Sequence, residues 1–217
     1  MDTLTRAQAA FTRQVDAYVE AGYDDLADLT ESEFRDRIEP LRTAVDRAVA
    51  EGLVVDTTPD RLAFAVVVTA ALLPPSVRAA ALRVQGSVKP GIVDPGHLAD
   101  VDRYAPAPGV EIPAGDAYLV IDASRGDTFR EIAAEDAVRA LVAADRTPLT
   151  LDEGLSFATV HPGVLEVDAG FLLAGSRSGK RVPALWVTAG AATLGWGGES
   201  TPETWLGVAS AARRIAA

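Results

Sequence analysis

Leu62-Ala-Phe-Ala-Val-Val-Val-Thr69 decides the fold. The run carries no charge and is apolar at odd and even positions alike, the pattern of a strand buried on both faces, as a central strand is. Pro74 and Pro75 close it, since proline cannot donate to a ladder. Towards the N-terminus the period changes. Leu4, Ala7, Phe11, Val15 and Tyr18 recur at helical spacing, which makes one face apolar. Gly22 is placed to cap that helix in a left-handed conformation. Thr30 and Glu33 form a capping-box pattern that opens a second stretch, apolar at Phe34, Ile38, Leu41, Val45 and Val49. Pro40 inside it predicts a kink or two successive helices, and Gly52 ends it. Residues 1–55 therefore read as a helical hairpin, packed on an α+β core over 56–217 within one compact unit.

Towards the C-terminus the region from Ser76 to Ile112 is punctuated by Gly and Pro and yields no firm element. Ala117 to Ile121 reads as a short strand ending at Asp122. Ala133 to Ala144 reads as a helix with Ala137, Leu141 and Ala144 on one side. Thr150 and Glu153 form a second capping box, and the helix they open runs to about Val160. His161-Pro162 ends it, because the residue before proline disfavours the helical region. Phe171–Ala174 and Val182–Val187 read as strands of a hairpin joined by Gly175-Ser-Arg-Ser-Gly-Lys180, with Leu194 in a third strand. Thr201 and Pro202 predict the cap and first position of a final helix reaching about Arg214. Helices first, then mixed strands and helices, indicate α+β and not a βαβ series. The expected architecture is an N-terminal helical hairpin on a mixed, mainly antiparallel sheet with flanking helices.

Composition narrows the function classes. The 217 residues are 48% apolar and 24% charged, with a net charge of −11. So acidic a surface repels phosphate backbones, which argues against nucleic acid and anionic membranes as partners. There is no cysteine, which removes disulfides, thiol catalysis and thiolate metal sites. Met-Asp-Thr-Leu-Thr-Arg lacks the apolar core of a signal peptide. The longest apolar run, Leu62 to Leu73, falls short of the roughly 20 residues that span a bilayer. A cytoplasmic protein is expected. Lys89 and Lys180 are its only lysines against many arginines, a bias typical of GC-rich bacterial genomes.

Several segments together carry a resemblance: Leu-Leu-Pro-Pro (72–75), Lys-Pro-Gly-Ile-Val-Asp (89–94), Ala-Tyr-Leu-Val-Ile-Asp (117–122) and Thr-Pro-Leu-Thr-Leu-Asp-Glu-Gly (147–154). Ala-Gly-Ser-Arg (174–177), Val-Pro-Ala-Leu-Trp (182–186), Leu-Gly-Trp (194–196) and Thr-Trp-Leu-Gly (204–207) complete it. The succession resembles a family of high-GC Gram-positive bacteria known only as a domain of unknown function. The resemblance covers most of the chain and brings no catalytic role with it.

Candidate site residues come with a functional and a plain reading. Ser176, Arg177, Ser178 and Lys180 lie in a glycine-bounded loop that could contact an anion, Arg177 by a bidentate grip. The loop lacks phosphate-loop spacing, and a plain hairpin turn explains it as well. His161, followed by Glu166 and Asp168 and preceded by Asp152, could serve as a general base held by a carboxylate. Equally, it could cap helix carbonyls. His97, in Asp94-Pro-Gly-His97, reads as a turn residue. Two histidines without cysteine make a transition-metal site improbable, and no loop shows calcium-ligand spacing. No serine-nucleophile motif is present. Trp186, Trp196 and Trp205 all fall in the last third, where they either line a pocket or fill the core. The sequence thus supports a small-molecule or partner-binding protein with its site near the Trp- and Gly-rich end. The alternative is a cofactor-independent hydrolase, isomerase or cyclase using His161. No cofactor is implied, and a homo-oligomer is compatible with either.

Overall fold

The computed structural model describes residues 2–217. Helices α1 (Thr3–Glu20), α2 (Tyr23–Leu26), α3 (Glu31–Ile38) and α4 (Leu41–Ala50) precede strand β1 (Arg61–Val68). Next come α5 (Pro75–Ala81), β2 (Ile92–Val93), β3 (Ala105–Pro106), β4 (Ala117–Ser124), α6 (Ala134–Ala143), β5 (Thr147–Pro148) and α7 (Leu151–Val160). The chain ends in β6 (Gly170–Leu172), β7 (Ser176–Arg177), β8 (Arg181–Thr188), β9 (Ala191–Gly198), β10 (Leu206–Val208), β11 (Ser210–Ala211) and β12 (Arg213–Ile215). One sheet has the order β1-β4-β11-β5, with β12 also paired to β4, and a second has the order β10-β6-β8-β9-β2. β3 and β7 form a separate ribbon. Pairing is mainly antiparallel, with β10–β6 and β2–β9 parallel. The protein is α+β, and its N-terminal helices pack on a sheet.

The helical starts follow their local chemistry. Asp2 caps α1 by accepting from the Thr5 N–H at 2.7 Å. Both reciprocal bonds of the Thr30–Glu33 box form at α3, and both form again at Thr150–Glu153 on α7. Pro40 separates α3 from α4, giving two successive helices. Gly22 and Gly52 take positive φ at the ends of α1 and α4. Phe11, Tyr18, Phe34, Ile38, Leu41 and Val45 bury the inner faces of these helices against Phe64, Val66 and Val68 of β1 and Leu119 and Ile121 of β4. The opposite face of β1 and β4 joins Leu155 and Phe157 of α7 and Phe171, Leu185 and Leu194 of the second sheet in the central core. α6 covers the far side of that second sheet through Ala134, Ala137 and Leu141.

β1 is buried on both faces as its sequence indicates, yet it is not central. It pairs only with β4 and forms an edge of its sheet. Side chains stand where the next strand would be. Gln14 of α1 donates to the Phe64 carbonyl and accepts from the Val66 N–H, both at 2.8 Å. The Tyr18 hydroxyl donates to the Val66 carbonyl at 2.6 Å. The Val68 N–H donates to Ser156 Oγ on α7 at 3.1 Å, and Arg78 donates to the Val68 carbonyl at 2.6 Å. A buried edge needs such partners, because each unpaired backbone group costs about 1–3 kcal/mol.

The final helix expected from Thr201 to Arg214 does not form. Leu206–Val208 pairs with β6, Ser210–Ala211 lies between β4 and β5, and Arg213–Ile215 pairs with β4. Gly207 lets β10 cross the Arg125–Gly126 turn closely, since a Cβ there would stand 2.8 Å from the Arg125 carbonyl oxygen. The decisive contact is at Arg214. Its Nη2 donates to Glu153 Oε2 at 2.9 Å while Nε donates to the other carboxylate oxygen. Glu153 is fully buried, and also accepts from the Tyr118 hydroxyl at 2.8 Å and the Thr150 N–H at 2.7 Å. Tertiary pairing here overrides the helical preference of an alanine-rich segment. β4 likewise continues past the expected stop at Asp122, which adopts φ 58° while Arg61 and Arg146 hold its carboxylate.

Two substitutions test these ties. Gln14→Leu strands one carbonyl and one N–H on the β1 edge, and urea unfolding should show a loss of about 2–4 kcal/mol. Arg214→Met leaves a buried carboxylate without its cation and should cost about 3–5 kcal/mol. Adding Glu153→Gln should restore much of that loss, because the second change removes the stranded charge.

Candidate functional site

A cleft of about 580 Å³ opens between α6, the 107–110 turn, β5 and β7. Val138 and Val142 of α6 form one wall, with Ala107, Pro108, Val110, Pro148 and Ala174 opposite. The turn is fixed by the Val110 N–H on the Ala107 carbonyl, at 3.0 Å, and by the Ala107 N–H on the Gly175 carbonyl, at 2.8 Å. Pairing of β3 with β7 then sets this turn beside Arg177. Two guanidinium groups, Arg146 and Arg177, line the cleft, and no carboxylate does. Arg146 is spent on structure: it donates to the Asp122 carboxylate at 2.6 Å, the Asp122 carbonyl at 2.8 Å and Ser210 Oγ at 3.0 Å. Arg177 makes one side-chain bond, from Nη1 to Glu199.

Of the residues expected to bind a ligand, only Arg177 borders this cleft. Ser176 is buried and accepts from the Leu151 N–H at 2.9 Å, so it serves as a second cap for α7. Ser178 and Lys180 belong to the tight β7–β8 turn, where the Ser178 N–H donates to the Arg181 carbonyl at 3.2 Å. Trp186 and Trp205 meet edge to face, 5.7 Å between centroids, and pack against the α6 layer. The Trp186 ring also fills the place a side chain would take at Gly195. Trp196 is exposed, with the Arg181 guanidinium 4.9 Å above its ring. None of the three indoles lines the cleft.

The four residues of the enzymatic alternative are not brought together. His161 Nε2 lies 3.1 Å from the Thr58 carbonyl and 3.0 Å from that of Pro59, and its ring stacks on Phe157. It ties the end of α7 to the turn before β1. Asp152 sits nine residues earlier on the same helix, a rise of roughly 13 Å. There its carboxylate pairs with the fully buried Arg78 and accepts from the Ala70 N–H at 3.1 Å. Glu166 approaches Arg125 at 3.3 Å, and Asp168 occupies an exposed turn with φ 60°. His161 makes no hydrogen bond to any of these carboxylates. Asp152 instead borders a hollow of about 170 Å³ with Asp102, Tyr104, Thr150 and Ser176.

His97 shows more than the turn its sequence indicates. The turn is there, with the His97 N–H on the Asp94 carbonyl at 2.8 Å. The imidazole, however, is fully buried, and neither ring nitrogen has a hydrogen-bond partner. It lies against Tyr104, 5.2 Å between centroids, whose buried hydroxyl is also unpartnered. Nothing in Asp-Pro-Gly-His distinguishes this burial, because the ring it packs against, Tyr104, lies outside that motif. Burial lowers the His97 pKa and the nearby Arg181 adds to the effect, while Asp100 and Asp94 oppose it.

The fold and cleft define an α+β protein with an apolar, arginine-bordered groove. Residues 17–217 match a family of unknown function, DUF5701, and the chain belongs to that family. No curated protein and no solved structure matches it. Among the described residues no helix is long and apolar enough to cross a membrane, and no group of three or more His, Asp or Glu could hold a metal ion.

The buried His97 makes a pH prediction. Its folded-state pKa lies below the unfolded value near 6.5, so its contribution is complete above that pH. As pH falls, the unfolded chain takes the proton first and stability declines, by at most about 1.4 kcal/mol per pH unit for one group. Denaturant midpoints from about pH 7.5 down to about 5, which brackets that pKa, should therefore fall in the parent and stay flatter in His97→Phe. Asp122 titrates lower: burial would raise its pKa, but hydrogen bonds from Arg61 and Arg146 bring it below the usual carboxylate value. Its contribution is present above about pH 4 and is lost as pH falls through its folded value.

Proposed function

We propose that the protein binds a small molecule in the cleft between α6, the 107–110 turn, β5 and β7. The supporting observation is the lining: apolar walls and two guanidinium groups around about 580 Å³, in a chain of net charge −11. Ligand sites fall in the range of roughly 300–1,000 Å³, with mostly apolar walls and few polar groups that fix orientation. Arg177 is the polar group with donors to spare, and it lies in the C-terminal third on which the sequence focuses attention. One wall is helix α6 and the other comes from segments held by backbone pairing at β3, β5 and β7. Binding without turnover is favoured over catalysis because no acid–base pair borders the opening.

A fluorescent apolar anion, 1-anilinonaphthalene-8-sulfonate, tests this reading. Titration into the parent should give saturable emission enhancement. Val142 is exposed on the cleft wall, so Val142→Trp fills the opening at little cost to folding. That variant should weaken the probe by about tenfold, or roughly 1.4 kcal/mol. Unchanged binding in a folded Val142→Trp protein would show that the probe sits elsewhere and sink the assignment.

A further inference from the structure

Several arginines in this chain grip a carboxylate side-on, while others meet one through a single terminal nitrogen. Arg61 uses Nε and Nη2 on the two oxygens of Asp122, Arg125 uses the same edge on Asp127, and Arg214 uses it on Glu153. That edge presents two parallel N–H groups matching the spacing of carboxylate oxygens. Arg177 is of the second kind, and unlike Arg37, Arg103 and Arg181 it borders the cleft. It meets Glu199 end-on through Nη1, and its Nε–Nη2 edge makes no hydrogen bond within the protein. The residue lines the cleft and is only partly exposed.

Resting on the binding reading above, we propose that the cleft's ligand is an apolar carboxylic acid, its carboxylate gripped side-on by Nε and Nη2 of Arg177 and its body lying along Val138, Val142 and Pro148. Three features converge on that class. The unused edge calls for two acceptor oxygens in one plane. The walls offer hydrocarbon contact and no further unsatisfied charge, since Arg146 is already saturated by Asp122 and Ser210. Glu199 holds the guanidinium in place from the other side, fixing the fork at the expense of repelling the incoming anion. Glu199 is thus a positioning residue whose charge weakens binding while its hydrogen bond orients the group that binds.

Isothermal titration with decanoate and decanol, which differ only at the head group, separates the terms. The parent should bind decanoate about tenfold tighter than decanol, as a charge-assisted bidentate bond requires. Arg177→Gln should bring the two within about twofold of each other and leave decanol unchanged. Arg177→Lys keeps the charge and removes the fork, and it too should lose about fivefold for decanoate. Glu199→Gln should tighten decanoate by about threefold, with no effect on decanol. Thermal unfolding of each variant checks that the β3–β7 ribbon survives, and the lysine and glutamine substitutions guard against a single misfolded protein. Equal affinity for acid and alcohol in the parent would overturn the carboxylate assignment while the cleft reading stands. Failure of both compounds to bind would overturn both.

Discussion

A carboxylate sealed from water at the start of α7 fixes the arrangement of the chain. Glu153 is fully buried, and an unpaired charge there would cost several kcal/mol. Every partner it recruits comes from a different element: Thr150 before its own helix, Tyr118 from β4 and Arg214 from β12. Arg214 in turn donates to Thr147 Oγ1 and the Pro148 carbonyl of β5. One ion pair therefore sets how α7 sits on the first sheet and requires the C-terminus to return to β4. Burial alone would lower the Arg214 pKa, but the hydrogen bonds and charge of Glu153 raise it above the ordinary value. The cation thus stays charged throughout the range in which the protein is handled.

α7 also closes the β1 edge. Ser156 and Asp152 on α7, with Arg78 on α5, meet the last residues of β1 and the turn after it, while Gln14 and Tyr18 of α1 meet the middle of the strand. A strand edge buried under helices would ordinarily be a defect, with a row of unsatisfied groups. Here the amide of Gln14 copies the donor and acceptor of a neighbouring strand residue. This explains a polar position on the otherwise apolar face of α1, where a leucine would pack equally well and satisfy nothing.

Legibility from sequence divides along the same line. The starts of α3 and α7, the break at Pro40, the hairpin of β6 and β8 and the extent of α6 depend on chemistry within a few residues, and each is readable locally. The position of β1 in its sheet is not, because a strand covered by helices on its edge and one covered by strands carry the same apolar run. The C-terminal segment misleads for a related reason. Thr201-Pro202 and the alanines after it favour a helix locally, whereas Arg214 is committed to a carboxylate 61 residues away. Of the candidate site, Arg177 was legible as a residue able to grip an anion, but its neighbours were not. The cleft is assembled from 107–110, 138–142, 146–148 and 174–177, each too short to carry a pattern. The tryptophans drew attention by type, yet two of them cover the outer face of a sheet.

Such a division follows from how an acidic chain uses its few cations. With 31 acidic and 20 basic residues, almost any buried or half-buried arginine finds a carboxylate, and the interior arginines here are consumed in that way. Arg61 and Arg146 share Asp122, Arg125 takes Asp127 and Glu166, Arg78 takes Asp152, and Arg214 takes Glu153. Against that background, what marks Arg177 is not its charge but a free edge in a residue that lines the cleft. A guanidinium held end-on by Glu199 and set beside an apolar groove keeps its Nε–Nη2 edge free of the protein's own acceptors. The fold supplies no acceptor for that edge, and it is there that the proposed carboxylate would sit.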